Sequence, residues 1–451
     1  MAGILLYLLN FIPLIINFWI SFKNKRVYCV FFVGLLLQHV VNLFTINQLL
    51  EYFDEQVLIK GQILMLIGNS IYFLYLISID FQVLKKPKVN LENIINDSKP
   101  KINNTYFWFI ITTSIVSIAC LVFSVGISSL INDNWQLRRN NTDTGLLFRL
   151  GIQLTFSFYP FIYFLWIKRK PLLFVTSLML GVTFVLVSGS RASAITLPGV
   201  AFFWVMYNKD NYRKKLKTLF LTGSISFLVH NFLRLIRGFG IQFLLNPTKY
   251  FENILSNSDF SGGESSTYQT YLFLIGSNLQ SVNDHISNPL GTTLLRIFYI
   301  YIPSSLWIEK PMDITYEIWA HALSGGLLND NSYLKTLLLL IQQGKFGSLH
   351  PVFWGDAFYN LGILGVIIYP LFFGCIFTLI EYFLHYLLRK HELGLITVFC
   401  ILPVIASGYL FVSRGNIVIG MGYIAHLVPM FLTMYFIFKL ITKYFHLPWL
   451  L

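Results

Sequence analysis

SLHPVFWGDAFYNLGILGVIIYPLFFG, residues 348–374, leads into a long apolar run of this chain. Its first residues include polar side chains, and then Leu, Ile, Val, Phe and Tyr follow almost without interruption. A helix that crosses the roughly 30 Å hydrocarbon core of a bilayer needs about 20 such residues. The stretch therefore predicts a membrane-spanning helix over residues 356–388, with Asp356 as an ordinary helix-start residue.

The composition of the whole chain points to the same class of protein. Hydrophobic residues make up 55% of the 451 residues and charged residues only 12%, and the mean hydropathy is +0.65. A water-soluble globular protein has a more highly charged surface than this composition allows. The aromatic share of 17% suits helices that face lipid and the membrane interfaces. The sequence thus predicts an all-α polytopic membrane protein.

Eleven apolar runs are long enough to cross a bilayer. Basic clusters fall on alternate connections between them, and such clusters stay in the cytoplasm. The N-terminus is then predicted outside and the C-terminus in the cytoplasm. The net charge of +13 is a topology signal on this interpretation and gives no reason to expect nucleic acid as a partner. The predicted spans are 3–22, 28–46, 61–84, 105–126, 145–167, 171–189, 192–207, 218–236, 356–388, 394–412 and 416–438.

One long segment remains on the predicted outer face. Residues 237–355 separate eight spans within residues 1–236 from three spans within residues 356–451. The segment contains periodic apolar stretches, such as YQTYLFLIGSNL at 268–279, which predict amphipathic or re-entrant helices. A loop of this length is usually functional or disordered, and its apolar content argues against disorder.

Four arginines lie at the outer ends of predicted spans: Arg191, Arg234, Arg237 and Arg414. A guanidinium group binds phosphate through a planar pair of donors and stays charged. The turn before Arg191 also brings backbone N–H groups and a helix N-terminus towards the same side. The group predicts a site for a lipid-linked phosphate or pyrophosphate. Phospholipid headgroups are the alternative ligands for each of these side chains.

Three further residues are candidate catalytic bases: His350, Glu264 and Asp356. Transfer of a sugar to a hydroxyl needs a base for the acceptor proton and positive charge for the departing pyrophosphate. An ordinary solvated or capping role is the alternative for each of the three residues. No HExxH, Walker A, GxSxG or DxD pattern occurs, and the four cysteines stand apart in apolar runs. No metal or other cofactor is therefore predicted.

Several of these segments together resemble the O-antigen polymerase (Wzy) family, over roughly residues 170–420. The segment 296–311, RIFYIYIPSSLWIEKP, is similar in character to the IPSxLW stretch of the enterobacterial common antigen polymerase branch. The other segments are VSGSRASAI (187–195), RLIRGFG (234–240), FSGGESSTY (260–268) and the stretch 348–374 quoted above.

The resemblance implies a GT-C-like fold in which a large periplasmic loop caps a cavity open to the outer leaflet. It also implies a metal-independent glycosyltransferase of the bacterial inner membrane. Such an enzyme moves a growing glycan from undecaprenyl pyrophosphate to the terminal sugar of a new lipid-linked unit. The four arginines occupy the places where the family binds pyrophosphate. A chain-length regulator as a partner is an expectation from the family.

Other functions remain open at this point. An O-antigen ligase, or another lipid-linked glycosyltransferase, uses the same type of donor. A lipid-oligosaccharide flippase or other transporter should show internal repeats and charges deep in many spans, and the sequence shows neither. A structural membrane scaffold would not need arginines gathered on one side.

Replacement of Arg191 by Ala should abolish long polysaccharide while the protein still reaches the membrane. Lysine at this position should restore little, because a point charge lacks the bidentate geometry of guanidinium. The measurement is the glycan length distribution on a gel, beside the protein level in the membrane fraction. A normal length distribution with either variant would contradict the predicted role of Arg191.

Overall fold

The computed structural model describes residues 2–43, 53–80, 100–126, 145–154, 263–276, 350–389 and 391–444, with scattered single residues and short groups elsewhere. Within these ranges the regular elements are helices, and no strand occurs among them. Six helices of the described part are long and apolar enough to cross a membrane. The chain is therefore an all-helical polytopic membrane protein in the part that the structure describes.

The helices are labelled in chain order. Those of the first 154 residues are α1 (Ala2–Leu9), α2 (Phe11–Lys23), α3 (Cys29–Leu43), α4 (Glu55–Tyr75, continued by a π-helical turn at Leu76–Asp80), α5 (Pro100–Val125) and α6 (Gly145–Leu154). The later ones are α7 (Gly263–Gly276), α8 (Val352–Arg389), α9 (His391–Ile396, followed by a π-helical turn at Thr397–Ile401), α10 (Leu402–Ser413) and α11 (Ile417–Tyr444).

Most of the predicted spans that fall within the described ranges coincide with these helices. Helix α4 begins at Glu55, before the predicted limit of 61, and its Lys60 Nζ lies 5.7 Å from the centre of the Phe358 ring. The predicted spans 171–189, 192–207 and 218–236 lie outside the described residues except for isolated positions. The total of eleven spans therefore stays a prediction.

The chain divides into two compact units. The first unit contains Met1–Lys86, Ser261–Tyr382 and Gly408–Ile424, and the second contains Pro87–Phe260, Phe383–Ser407 and Ala425–Leu451. In the second unit, Ser117 of α5 donates a hydrogen bond to the Gly151 carbonyl of α6 at 2.6 Å. Helix α7 and residues 350–355, which are the main described parts of the predicted outer segment, belong to the same unit as the N-terminal helices.

Helix α8 reverses direction at Gly362. This residue has φ 62° and ψ −145° inside an otherwise helical segment, a conformation that glycine adopts at low cost because it lacks Cβ. The ring centroids of Phe353 and Phe373 lie 5.6 Å apart, whereas twenty residues of straight helix would separate them by about 30 Å. Residues 352–361 and 363–389 are therefore the short and long arms of a helical hairpin.

This hairpin corrects the prediction of one span over 356–388. The helical segment begins at Val352, so Asp356 lies in its second turn and is not a helix-start residue. The two arms also approach each other closely, since a Cβ atom on Gly365 would overlap the Ala357 carbonyl group. Hydropathy alone could not reveal the reversal, because both arms are apolar and Gly is common in membrane helices.

The two arms of the hairpin have different surroundings. Residues 352–360 of the short arm are all buried, so protein surrounds this helix on every side. The long arm alternates pairs of exposed and buried residues, and exposed apolar pairs such as Ile363 with Leu364 and Ile367 with Ile368 line one face. The long arm alone is long enough to span a bilayer, with this apolar face towards lipid.

Helices α3, α4 and α7 enclose the short arm. The Trp354 ring lies against Gly68 of α4, where any larger residue would collide with it, and Phe353 contacts Phe31 of α3 with ring centroids 5.0 Å apart. Helix α7 is anchored to α4 by Tyr271, whose hydroxyl donates to the Gly61 carbonyl at 2.6 Å. Burial raises the pKa of the Tyr271 hydroxyl above its ordinary value, so it remains a donor.

Two side-chain amides of the α2 segment donate hydrogen bonds to α4. The side-chain amide of Asn10, just before α2, donates to Gln62 Oε1 at 2.8 Å, and seven residues later Asn17 donates to the Asn69 carbonyl at 3.0 Å. All four residues are fully buried. Hydrogen bonds between helices in an apolar environment favour one register, because a shift along the helix would separate both pairs.

A buried ion pair ties the α2–α3 turn to the end of α4. Arg26 Nε lies 2.9 Å from Asp80 Oδ2, with side chains 1% and 0% exposed, and Thr378 of α8 donates to Asp80 Oδ1 at 3.2 Å. Nearby, Glu381 of α8 accepts the backbone N–H of Tyr28 at 2.9 Å. Arg26 belongs to the first of the basic clusters that the sequence predicts to be cytoplasmic, and in the structure its side chain is buried in an ion pair.

Replacement of Asp80 by Ala should destabilise the protein by about 3–5 kcal/mol, because it leaves the buried Arg26 without its counter-charge. The double variant Arg26→Met with Asp80→Leu should recover most of that loss, since it removes the two opposite charges of the pair together. Thermal unfolding of the purified protein in detergent measures both effects. Asp54→Ala is the matched control, because Asp54 is exposed at the start of α4; equal destabilisation by the two single variants would contradict the prediction.

Candidate functional site

The strongest candidate site lies where the start of α8 meets the turn between α10 and α11. The Val352 N–H donates to the Arg414 carbonyl at 3.0 Å. Two residues earlier in the chain, His350 Nδ1 lies 3.4 Å from Asn416 Nδ2, across 66 positions of sequence. We call His350, Val352, Arg414, Gly415 and Asn416 the corner. It brings together two of the predicted site residues, His350 and Arg414, from separate segments.

The sequence SRGN at 413–416 determines the shape of the turn. The N–H of Gly415 donates to the Val412 carbonyl and that of Asn416 to the Phe411 carbonyl, each at 3.0 Å. These two bonds form a Schellman motif, and Gly415 takes the positive φ of 78° that the motif requires. Asn416 then caps α11, because its Oδ1 accepts the Ile419 N–H at 3.2 Å.

Val352 holds a strained backbone conformation at the corner. Its φ is 60°, which is rare for a β-branched residue. A Cβ atom on Gly415 would collide with the Val352 carbonyl group, so only glycine allows this approach. Strained residues persist where the surrounding structure over-determines them, and they cluster at functional sites. The strain is therefore a second sign, besides residue identity, that the corner has a function.

The electrostatics of the corner favour an anion. Arg414 and His350 are both half-buried, so their side chains are within reach of a ligand. Helices α8 and α11 both begin at the corner. A helix N-terminus carries positive partial charge. Among the described residues no group of His, Cys, Asp and Glu could hold a metal ion. The arrangement suits a phosphate or pyrophosphate bound by the Arg414 guanidinium, the His350 imidazole and backbone dipoles.

Asp356 lies one turn further along the short arm, and its contacts belong to the hairpin. It is 2% exposed, and its Oδ1 accepts hydrogen bonds from Asn360 Nδ2 at 3.0 Å and from the Tyr369 hydroxyl at 3.1 Å. Because Tyr369 is on the long arm, the second bond joins the arms across the reversal. The catalytic role of Asp356 stays a prediction, whereas its contribution to the hairpin follows from these contacts.

The remaining predicted site residues are placed only in part. Glu264 is the second residue of α7, and only its backbone is described. Arg191, Arg234 and Arg237 lie outside the described residues. Their roles in pyrophosphate binding therefore stay predictions.

Sequence reasoning missed Asn416 and Tyr369. Asn416 had a signal, because Gly-Asn between two apolar runs is typical of a helix end followed by a helix cap. Tyr369 had none, since its contact with Asp356 exists only because the chain reverses between them.

Comparison with known proteins adds no further support. No protein-family model matches the chain, and neither a curated protein nor a solved structure matches it. The functional argument therefore depends on the chemistry of the residues and on the geometry of the corner.

Replacement of Tyr369 by Phe should destabilise the protein by about 1–3 kcal/mol, because it removes a buried donor to Asp356 and leaves that carboxylate less well satisfied. Tyr382→Phe is the matched control on the same arm, since Tyr382 is 67% exposed and should tolerate the change. Thermal unfolding in detergent measures both variants. If Tyr369→Phe and Tyr382→Phe melt at the same temperature, the bond across the hairpin does not contribute to stability.

Proposed function

We propose that this protein is a polymerase of lipid-linked oligosaccharide repeat units, of the Wzy type, in the bacterial inner membrane. Its donor is a growing glycan on undecaprenyl pyrophosphate, and its acceptor is the terminal sugar of a newly delivered lipid-linked unit. The observation that supports this proposal most is the corner itself, where contacts from His350 to Asn416 and from Val352 to Arg414 join the segment of His350 to the turn that contains Arg414. The sequence predicts pyrophosphate binding for Arg414 and, on separate grounds, a role as catalytic base for His350.

The reaction is a substitution at the anomeric carbon of the donor sugar. The acceptor hydroxyl oxygen forms a bond to that carbon, and the bond from the carbon to the pyrophosphate oxygen breaks. The electron pair leaves with undecaprenyl pyrophosphate, and the proton of the hydroxyl passes to a base among His350, Glu264 and Asp356. No metal takes part in this scheme.

Arginine supplies the positive charge in this proposal. Charge accumulates on the pyrophosphate as the sugar–oxygen bond breaks, and fixed donors stabilise that charge more than they stabilise the ground state. Arg414 acts at the corner, and Arg191, Arg234 and Arg237 bind the pyrophosphates of donor and acceptor. The helix N-termini of α8 and α11 add to the same positive potential.

The finer architecture belongs to the same proposal. It includes eleven spans, a GT-C-like fold, an active site that faces the periplasm, a periplasmic N-terminus and a cytoplasmic C-terminus. A chain-length regulator is the proposed protein partner. An O-antigen ligase is the nearest alternative, since it uses the same donor and differs in its acceptor.

One structural feature is compatible with a flippase, because ionisable residues are buried in the first unit. Arg26, Asp80 and Glu381 are each at most 1% exposed. Their described contacts are structural, however. Arg26 and Asp80 form an ion pair, and Glu381 accepts the backbone N–H of Tyr28. These contacts favour a role in stability over a transport path.

A deletion strain distinguishes the proposal from its alternatives. A single repeat unit that caps the lipid supports a polymerase, because the unit is still exported and ligated. Absence of any capped lipid supports a ligase or a flippase. The glycan length distribution, separated on a gel, is the measurement.

In that strain, a gene that encodes Arg414→Ala should fail to restore long chains, and Arg414→Lys should restore few, because both lack a bidentate guanidinium. We expect a loss of about a hundredfold or more in polymer, the usual effect of removing one group that stabilises developing charge. Arg389→Ala is the matched control, since Arg389 is an exposed arginine at the far end of α8. Normal chain lengths with Arg414→Ala would overturn the assignment of Arg414.

A further inference from the structure

The corner contains a contact that restricts the protonation of His350. Asn416 is 1% exposed, and its side-chain amide has two ends with different partners. Its Oδ1 accepts the Ile419 N–H at 3.2 Å, and only an oxygen can accept that bond. The amide nitrogen must therefore be the end that faces His350, at 3.4 Å from Nδ1.

An amide nitrogen can only donate a hydrogen bond. A neutral imidazole carries its proton on one of two nitrogens, and the hydrogen bond at one nitrogen decides which tautomer is present. If Nδ1 carried the proton, two donors would face each other in a partly buried contact. The 3.4 Å contact is long for a hydrogen bond, but the donor–donor contact in the other tautomer is unfavourable at the same distance.

We propose that Asn416 is a positioning residue that holds neutral His350 in the tautomer with its proton on Nε2. In this form Nε2 is a hydrogen-bond donor and has no lone pair for the acceptor proton. The inference rests on the proposed function for its catalytic meaning. There, His350 donates a hydrogen bond to the departing pyrophosphate beside Arg414, without losing its proton. The proton of the acceptor hydroxyl then passes to Glu264 or Asp356.

The chain offers a nearly isosteric substitution that reverses the polarity of this contact and adds one negative charge. In Asn416→Asp, one carboxylate oxygen still caps α11, because Asp and Asn are equally good capping residues. The other oxygen accepts where the amide donated, and it therefore favours the proton on Nδ1. Asn416→Ser keeps a capping oxygen but is too short to reach His350, and it adds no charge.

The first measurement needs no glycan substrate. The full-length protein is labelled with ¹⁵N-histidine and placed in detergent micelles at mildly alkaline pH, where an ordinary histidine is neutral. The chain has nine histidines, so the His350 signals are assigned by their loss in His350→Gln. Long-range ¹H–¹⁵N correlation spectra then show which ring nitrogen is protonated.

We expect the proton on Nε2 in the wild type, a shift of the proton to Nδ1 in Asn416→Asp, and a mixture of both tautomers in Asn416→Ser. A wild-type His350 with its proton on Nδ1 would overturn the inference, and so would an unchanged tautomer in Asn416→Asp. Equal melting temperatures for the wild type and the two Asn416 variants show that the cap is preserved.

The second measurement tests the catalytic meaning in the deletion strain. Asn416→Asp should reduce long polymer about a hundredfold, because the donor to the leaving group is lost. Asn416→Ser should give a smaller loss of polymer. Because serine adds no charge, this loss reports the effect of the tautomer without the repulsion between an added carboxylate and the pyrophosphate. Full polymer from both variants, with the expected tautomers, would overturn the donor role of His350. The tautomer measurement remains decisive even if the protein proves not to be a polymerase.

Discussion

Gly362 takes a backbone conformation that only glycine holds without strain, and the position of the corner depends on it. The reversal sends residues 352–361 and 363–389 in opposite directions. Because of this, the segment that contains His350 enters the first unit beside the SRGN turn, and the long arm is left to face lipid with its exposed apolar side. A straight helix over 352–389 would place Phe353 and Tyr369 about 24 Å apart, but their ring centroids lie 5.7 Å apart.

The buried polar groups of the first unit then act as fixed points around the hairpin. In an apolar environment each polar side chain needs a partner, so a helix that carries several of them has few acceptable registers. The Asn10–Gln62 and Asn17–Asn69 pairs fix α2 against α4. The Arg26–Asp80 ion pair fixes the end of α4 near α8 through Thr378. These contacts hold in place the helices that surround the short arm.

At the corner, the contacts that shape the turn belong to the same residues as the proposed site. Asn416 ends the Schellman motif, caps α11 and faces His350, so one side chain links the turn to a candidate catalytic group. Val352 is strained against Gly415, and the rest of the unit maintains that strain. A site built from two helix N-termini and a turn of this kind needs little reorganisation when an anionic ligand binds. This preorganisation is what stabilises developing charge in an enzyme.

The sequence by itself determined that the chain is helical and membrane-embedded, because hydropathy and the length of apolar runs report directly on transfer into lipid. It also predicted site roles for His350 and Arg414, since charged and titratable groups are rare near such segments, and these roles stay predictions. Only the tertiary structure decided that the 356–388 run folds back on itself, that Arg26 is buried against Asp80, and that Asn416 faces His350. Each of these features depends on contacts between residues far apart in the chain. A pattern of local hydropathy carries no information about which distant partner completes a hydrogen bond or an ion pair.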